Sequence, residues 1–546
     1  MLNTTLTSTF LHAIITYDMQ KLTKYLNQLI IGTASHAPEI LSAHSTDQSI
    51  IKIPPKIVIF PESTNDIRKI LKFFYQLAQR DLHFSIAVRG SGLDQTGADL
   101  SNSVVISTAK LNRLLEIDAR ERLVRIQSGI TLKELNTALS VHGLTLPISA
   151  PDQETIGSLI ANFTTDNYAG KYLGIMNYVE RAEIILANGE YIQTADLSPR
   201  ALTKRSQAKT LEANIYRQLP KLITQYQKLL QTTRSQPKNL TGYSTVAYVS
   251  PKNSFNLLPL FFASSGSLGI ISEIILKVIP LKKSYTRILV TFPKLKTTLK
   301  FLSIINALNP CELNVFDTST AKIITKSGKT FSPLLKNLPS GFIVFASFDE
   351  KVRSISRRLI QLQKSLPKSH QIIIENPTNS TFFQTFTSNF LHASPIYPTS
   401  THSPFLTNFY IPRPHLPNFL SDLINLEKQL QLPLPFSGSY STSIYHLLPQ
   451  LTSQIQSSPK FIIKIMQSVA QLIHHHHGTF AGGSAEGNLK ALITNPQLTP
   501  DQKALYIKIK HLFDPQNILN PYLKLQANPQ FTLRHIQITN PPKTML

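Results

Sequence analysis

The chain has 546 residues, 42% of them hydrophobic and 16% charged, so it is long enough to form two or more globular domains. Its single cysteine, Cys311, excludes an intrachain disulfide and a cysteine-based metal cluster. The net charge of +24 favours anionic partners, but the basic residues are scattered along the chain. A generally basic, solvated surface is therefore the favoured interpretation, and a functional basic face is the alternative.

The sequence gives no signal for insertion into a membrane. No uncharged apolar run reaches the roughly 18 residues that a membrane-spanning helix needs. Residues 1–17 lack the basic start of a signal peptide. We therefore expect a cytoplasmic protein, with peripheral contact at the inner face of the membrane, through its positive charge, as a further possibility.

A glycine-rich loop follows a short predicted strand in which Phe84, Ile86 and Val88 alternate with smaller residues. Glycines at positions 90, 92 and 97 would let backbone N–H groups converge on a pyrophosphate. An ordinary connection between two strands is an equally weighted alternative. The loop is not a Rossmann fingerprint, because Gln95 takes the place of the third glycine and a β-branched segment follows at 103–107.

Two further loops have the same character. The first is Thr155-Ile156-Gly157-Ser158, at a predicted helix start where a ligand could approach backbone N–H groups. The second is Gly266-Ser267-Leu268-Gly269-Ile270, which leads into a predicted strand. Between the loop at 90–97 and the loop at 266–270, two more local patterns are present. Residues 131–134 have the spacing of a helix capping box, and the pair at 188–189 predicts a hairpin turn.

Taken in this order, the segments resemble the flavin domain of the vanillyl-alcohol oxidase / p-cresol methylhydroxylase (PCMH) superfamily. Residues 513–521 resemble its D-lactate dehydrogenase and glycolate oxidase branch. The resemblance implies an α+β protein: a PCMH-type FAD-binding domain of two subdomains, a ferredoxin-like α/β cap domain, and a C-terminus that returns to the flavin domain. The expected divisions are a helical extension (1–50), the FAD domain (51–283, with an insertion at about 195–255), the cap or substrate domain (284–475) and the returning segment (476–546).

The resemblance also implies FAD as the cofactor. Covalent attachment in this superfamily often uses His or Cys in the first loop, whereas Leu93 follows Ser91-Gly92 here, so we expect FAD to bind non-covalently. The residues expected to bind it lie in or beside the three loops: Arg89, Gly90, Ser91, Gly92, Leu93, Gln95, Thr96, Thr155, Ile156, Gly157, Ser158, Ala161, Asn162, Gly174, Gly266, Leu268, Gly269, Ile270 and Ile271.

Metal-using members of the superfamily resemble Gly-His-x-Gly-Asp-Gly-Asn-x-His, followed later by Glu-His-Gly. This chain keeps only the second histidine of the first motif, as His446, and has Gly483 and Ser484 in place of the later Glu and His. A single imidazole does not form a metal site, which takes about three protein ligands. We therefore expect the family's metal to be absent. The tract 474–477 could bind metal through an i, i+3 histidine pair, but a polar tract is the favoured interpretation.

Two residues are candidates for catalysis. His446 could accept the substrate's hydroxyl proton, since an unperturbed imidazole pKa of ~6.5 suits a base at neutral pH. The alternative is that it is a packing residue on a strand. Tyr243 follows a glycine and could face the flavin, with a packed tyrosine as the alternative.

The resemblance implies an FAD-dependent oxidoreductase acting on CH–OH donors such as a 2-hydroxy acid, by hydride transfer to flavin N5. The expected partners are a small-molecule substrate and a quinone or protein electron acceptor, with no specific nucleic acid. One alternative is a non-redox flavoenzyme of the alkylglycerone-phosphate synthase type. A second is a degenerate member that binds nucleic acid or a membrane through its charge.

Overall fold

The computed structural model describes residues 18–236, 238–250, 254–282, 284–321, 341–350, 371–375, 383, 405–449 and 458–537. The outermost parts of the predicted N-terminal extension and C-terminal segment, and parts of the predicted cap domain, lie outside these ranges. Within them, every helix is too short or too polar to cross a membrane.

A four-stranded sheet in the order β1-β2-β4-β3 begins the described chain; β2, β4 and β3 are parallel, and β1 is antiparallel to β2. The third helix carries the chain from β2 to β3, which lies on the other side of β4 and runs parallel to it. Ser63 caps that helix by accepting a hydrogen bond from the Asp66 backbone N–H. The elements are β1 (Thr33–Ser35), β2 (Ile57–Phe60), β3 (Ile86–Arg89), β4 (Val104–Ser107), α1 (Met19–Leu29), α2 (Pro38–Ala43) and α3 (Thr64–Ala78).

A five-stranded antiparallel sheet in the order β5-β6-β10-β8-β9 forms the second subdomain. The predicted capping box is present at Thr131 and Glu134, and Gly189 forms the predicted hairpin turn with φ of +82°. The elements are β5 (Leu114–Asp118), β6 (Leu123–Gln127), β7 (Leu144–Thr145), β8 (Val179–Ile185), β9 (Tyr191–Gln193), β10 (Ile270–Lys277), β11 (Ile279–Pro280), α4 (Leu132–Val141), α5 (Ile156–Ala161) and α6 (Ala169–Tyr172); β7 pairs with β11.

The predicted insertion is helical. It contains α7 (Pro199–Arg205), α8 (Leu211–Gln225) and α9 (Gln227–Ser235). The last two helices are separated at Tyr226, which caps the C-terminal end of α8. Ile215 and Leu219 bury this insertion against the core of the second subdomain.

A seven-stranded antiparallel sheet, in the order β15-β12-β14-β13-β17-β18-β16, forms the cap. Alternate residues of its strands, such as Ile288 and Val290, share one hydrophobic core with its helices. The elements are β12 (Thr286–Phe292), β13 (Glu312–Asp317), β14 (Phe342–Phe348), β15 (Gln371–Ile374), β16 (Leu406–Tyr410), β17 (Phe436–Ser439), β18 (Ile444–Leu447), α10 (Leu295–Asn306), α11 (Leu416–Leu430) and α12 (Pro459–His475).

The C-terminal segment returns to the first sheet, as the resemblance implied. It contains α13 (Ala491–Thr494), α14 (Pro500–Phe513) and α15 (Pro529–His535). The Ile86 N–H of β3 donates to the Ile518 carbonyl at 2.8 Å, and the Asn520 N–H donates back to the Ile86 carbonyl at 2.8 Å. The buried Lys510 ammonium donates to Ser267 O, Asp514 Oδ2 and Leu519 O, so it joins this return to the third glycine loop. Residues 510–520 therefore pack against the first sheet and the third glycine loop.

Candidate active site

The first glycine loop leaves the end of β3 and is shaped by its own polar side chains. Asp94 accepts the backbone N–H groups of Thr96 and Ala98, both at 2.8 Å. Arg89 lies beside the loop, with its Nη1 3.6 Å from Asp99 Oδ1. The cap also contacts this loop, because Thr407 donates to the side-chain carbonyl of Gln95 at 2.8 Å.

The second glycine loop packs directly against the first. Thr155 caps α5 by accepting a hydrogen bond from the Ser158 backbone N–H. A Cβ on Gly90 would lie 2.3 Å from Thr155 Oγ1 and 2.8 Å from Ser158 Oγ, so only glycine fits at this contact.

The third loop follows a left-handed path. Gly266 has φ of +68°, and Ala263 and Ser265 are also left-handed at +58° and +52°. A left-handed conformation costs a non-glycine residue roughly 1–2 kcal/mol. The loop therefore adopts a left-handed backbone conformation even at the two positions that are not glycine.

All three loops line one cleft with about 500 Å³ of empty space. The predicted residues that line it are Gly90, Gly157, Ser158, Ala161, Asn162, Gly266, Gly269, Ile270 and Ile271. The lining residues that the sequence analysis missed are Val88, Ala98, Asp99, Thr108, Ser128 and Ser265. Predicted residues outside the lining are Arg89, Ser91, Gly92, Leu93, Gln95, Thr96, Thr155, Ile156 and Leu268, which lie in or beside the loops, and Gly174, which lines a neighbouring cavity.

The chemistry of the cleft fits a pyrophosphate. The hydroxyl oxygens of Ser128 and Ser265, which line the cleft, are buried, and neither has a hydrogen-bond partner among the described residues. The same is true of Ser91 Oγ, which lies in the first loop outside the lining. A buried hydroxyl without a partner costs free energy, which a bound phosphate oxygen would offset by accepting its hydrogen bond.

Two carboxyl groups near the cleft are buried. Asp99 lines it, and the Glu154 side chain is hydrogen-bonded to Ser158, which also lines it. Burial raises the pKa of Asp99 to about 6 and that of Glu154 to about 8. At pH 7 Glu154 is therefore mostly protonated and opposes an anionic ligand less than an ionised carboxylate would. Asp99 is mostly ionised at that pH, and its charge is offset by Arg89, whose Nη1 lies 3.6 Å away.

A second cavity, with about 1020 Å³ of empty space, adjoins the cleft. The segment 161–166 contributes to both, because Ala161 and Asn162 line the cleft whereas residues 163–166 line the cavity. The cavity also contains Lys238, from the end of the insertion, and Gly482, from the segment after the cap. A ligand there would lie next to whatever occupies the cleft.

Asp166 and Lys238 are the two charged side chains in the described lining of this cavity. Asp166 Oδ1 accepts the backbone N–H groups of Tyr168 at 2.8 Å and Ser149 at 3.3 Å. Burial raises the pKa of Asp166 to about 7 and lowers that of Lys238 to about 8. Two titratable groups with shifted pKa values in one cavity are typical of an active site. The sequence analysis identified neither.

Two cations brace the turn 439–443, where the family's first metal motif would lie. Lys238 Nζ donates to the Thr442 carbonyl at 2.8 Å. Arg413 Nε donates to the Tyr440 carbonyl at 3.0 Å, and its Nη2 donates to the Ser441 carbonyl. The position of the motif's first histidine is taken by Ser439, whose Oγ lies 3.1 Å from Ser441 Oγ. Loss of the family's metal stays a prediction. Ser439 is consistent with it, because it offers a hydroxyl group where the family motif has an imidazole ligand.

His446 lies on β18 and is partly buried, with its Nδ1 accepting the Asn408 backbone N–H at 3.0 Å. Burial and the nearby Lys490 lower its pKa to about 3, so the unperturbed value assumed from the sequence is wrong for this site. Lys490 Nζ donates to Ser484 Oγ at 3.1 Å, and burial lowers the Lys490 pKa to about 7. At neutral pH the imidazole is therefore neutral and a weak base.

Tyr243 lies in the core of the second subdomain. Its hydroxyl is 2.9 Å from Ser267 Oγ, and its ring meets that of Tyr506 edge-on at 6.3 Å. The side chain does not line the described cleft. This position supports the packing alternative.

Glu486 is also buried, and it accepts the Gly242 N–H at 3.0 Å and the Thr494 hydroxyl at 2.7 Å.

Two protein families match the chain. The family described as "FAD binding domain" matches residues 55–195, and "FAD linked oxidases, C-terminal domain" matches residues 281–523. The chain belongs to the FAD-linked oxidases. FAD is the cofactor that these two matches indicate, and the serine-lined cleft fits it.

Several curated relatives of this FAD-linked oxidase are named for the hydroxy acids that they oxidise. D-2-hydroxyglutarate dehydrogenase of Pseudomonas putida is 23% identical over 495 residues, covering 87% of this chain and 49% of that protein. Glycolate oxidase subunit GlcD of Bacillus subtilis is 22% identical, covering 86% of this chain and 88% of that protein. D-lactate dehydrogenase of Archaeoglobus fulgidus is 22% identical, covering 85% of this chain and 90% of that protein. The chain thus spans about half the length of the D-2-hydroxyglutarate dehydrogenase, 49%.

Solved structures share the fold of this FAD-linked oxidase at low identity. p-Cresol methylhydroxylase with substrate bound matches with a TM-score of 0.65 and 11% identity, covering 93% of this chain and 97% of that one. Alkyldihydroxyacetonephosphate synthase matches with a TM-score of 0.60 and 14% identity, covering 92% and 86%. The predicted fold class is confirmed.

We expect Gly90→Ala to weaken FAD binding by about tenfold or more, because the added methyl group meets Thr155 and Ser158 and overpacking costs roughly 1–3 kcal/mol. Flavin absorbance per mole of purified protein measures the effect. Gly143→Ala is the control: its Cβ would meet nothing within 4 Å, and its φ of +67° makes alanine cost roughly 1–2 kcal/mol of stability at a site outside the cleft lining, so its flavin content should stay that of the wild type. Equal flavin content in both variants would contradict a role for Gly90 in the cleft.

We expect FAD to be released when the protein is precipitated with acid. Leu93 offers no nucleophile for a covalent bond in the first loop, and Cys311 is buried in the cap. The yellow colour should therefore pass into the supernatant. Colour retained in the washed pellet would show a covalent link.

Proposed function

We propose that this FAD-linked oxidase is a dehydrogenase that oxidises the CH–OH group of a small 2-hydroxy acid. The observation that carries the proposal is the cavity containing Asp166 and Lys238, which shares the segment 161–166 with the flavin cleft. The names of the relatives, D-2-hydroxyglutarate, D-lactate and glycolate enzymes, support the same substrate class.

Each charged group of the cavity has a role in this proposal. Lys238, whose pKa is about 8, is mostly protonated at neutral pH and binds the substrate carboxylate. Asp166, whose pKa is about 7, accepts the proton of the hydroxyl group. A bound flavin would supply the hydride acceptor for the carbon that carries this hydroxyl group, so that the product would be a 2-oxo acid.

His446 remains the alternative base proposed from the sequence. Its depressed pKa makes it a poorer proton acceptor than Asp166 at neutral pH, because a base is most effective when its pKa is near the working pH. Its contact with the Asn408 backbone N–H suits a second role, which is to join β18 to β16 below the turn 439–443.

The test is anaerobic mixing of the FAD-loaded protein with the D and L forms of lactate and 2-hydroxyglutarate, and with glycolate. At least one of these acids should bleach the flavin absorbance near ~450 nm that is expected of such a cofactor. Retention of full colour with all of them would refute oxidation of this substrate class. Product formation without bleaching would favour the non-redox alternative, and a purified protein without flavin would favour the degenerate one.

We further propose that electrons pass to a quinone or a protein, and that the net charge of +24 attracts the chain to anionic membrane surfaces. Binding to vesicles rich in phosphatidylserine should then fall steeply as salt rises from 50 to about 500 mM, because the Debye length shrinks. Vesicles of neutral lipid are the control. Binding that does not change with salt would count against electrostatic docking.

A further inference from the structure

Two histidines and an aspartate lie close together in the cap, where the C-terminal end of α12 meets α11. Asp422 lies on α11, His475 is the last residue of α12, and His476 follows it. One ligand atom from each lies within 4.8 Å of the other two. The three come from two helices, so their proximity is a product of the fold.

The cluster combines an anchored ligand with an open side. The His476 side chain is only 6% exposed; its ring packs edge-on against Phe419, and its Nε2 lies 2.9 Å from Asp422 Oδ2. The Asp422 side chain is 44% exposed, and His475 is exposed at the surface. An ion could therefore enter from solvent and find one imidazole already oriented by packing and by a carboxylate.

We propose that Asp422, His475 and His476 bind a divalent transition-metal ion such as Zn²⁺. Imidazole nitrogens and carboxylate oxygens bind this ion at about 2.0–2.2 Å, which places tetrahedral ligand atoms about 3.4 Å apart. The present separations, from 2.9 Å up to 4.8 Å, bracket that value, so small side-chain rotations suffice. Water completes the coordination.

The ion has a structural role in this proposal. It joins α11 to the C-terminal end of α12, shortly before Gly482, which lines the cavity of the candidate active site. It takes no part in the oxidation. The site also differs from the i, i+3 pair considered from the sequence, since His477 is left-handed (φ +56°) and its ring packs on His415 at 4.6 Å.

The test is a titration of the full-length, untagged, FAD-loaded protein with ZnCl₂ after treatment with a chelator, followed by calorimetry and by thermal unfolding. We expect one high-affinity ion per chain and a rise in Tm. Asp422→Asn and His475→Gln change exposed or half-exposed side chains and should still fold, and each should weaken binding by at least about tenfold and abolish the rise.

Two neighbouring histidines serve as matched controls. His474→Gln and His477→Asn keep the three proposed ligands and should bind Zn²⁺ as the wild type does. No saturable binding to the wild type would overturn the proposal. Equal weakening in the control variants would also overturn it, because the four histidines would then bind metal without a defined site.

Discussion

Asp166→Asn is expected to slow flavin reduction by a 2-hydroxy acid about 10²–10⁴-fold, the usual contribution of a general base. The amide oxygen can still accept the N–H groups of Ser149 and Tyr168, so the fold and the FAD content should be unchanged. Stopped-flow absorbance measures the rate, and flavin content per chain verifies loading. Asp81→Asn, at an exposed position, is the control.

The pH profile of the reduction gives a second readout. Asp166 must be ionised, so the rate should rise with pH through about 7, and Lys238 must be protonated, so it should fall above about 8. Asp166→Asn should remove the rise on the acid side. If Asp166→Asn changes the rate less than about threefold while His446→Gln slows it by orders of magnitude, the base is His446.

Glu154→Gln is expected to make the protein more stable than the wild type at pH 9, by a few kcal/mol. The folded-state pKa of about 8 lies above the ordinary value of 4.5, so the neutral carboxyl is favoured on folding. The stabilisation is complete below about pH 4.5 and is lost as pH rises through about 8. Each unit of pKa difference corresponds to about 1.36 kcal/mol.

Urea denaturation of the FAD-saturated protein at pH 5, 7 and 9 measures this effect. The free energy of unfolding of Glu154→Gln should fall less with rising pH than that of the wild type. Some pH dependence should remain, because Asp99 and Asp166 also have raised pKa values in the folded protein. Glu121→Gln, on an exposed turn, is the control and should follow the wild type. Identical slopes for Glu154→Gln and the wild type would show that Glu154 is not neutral in the folded protein.

The sequence predicted the features whose cause is local. The capping box at Thr131 and the turn at Gly189 depend on neighbouring residues, and the glycine loops are visible because few residues can replace glycine there. The resemblance supplied the order of the domains. Serines 128 and 265 were missed because a serine in a loop gives no signal until the fold buries it.

The candidate catalytic pair could not be predicted from local pattern. Asp166 follows two threonines in what looks like a connecting loop. Its pKa is raised chiefly by burial and also by the negative charge of Glu312, which is distant in the chain. Lys238 belongs to an insertion whose position only the fold reveals. His446 is the opposite case: its motif position suggested a base, whereas burial in the fold lowers its pKa to about 3, which the sequence could not show.

The pairing of β3 with residues 518–520 has a consequence for biosynthesis. The strand that opens the first glycine loop has one edge completed by hydrogen bonds to Ile518 and Asn520, from the other end of the chain. Chains emerge from the ribosome at about 5–20 residues per second, so this edge stays unpaired for tens of seconds while the cap is made. An unpaired edge strand is a site of aggregation. Nascent chains of this protein should therefore depend on chaperones until the last helices emerge, and FAD capture should be a post-translational event.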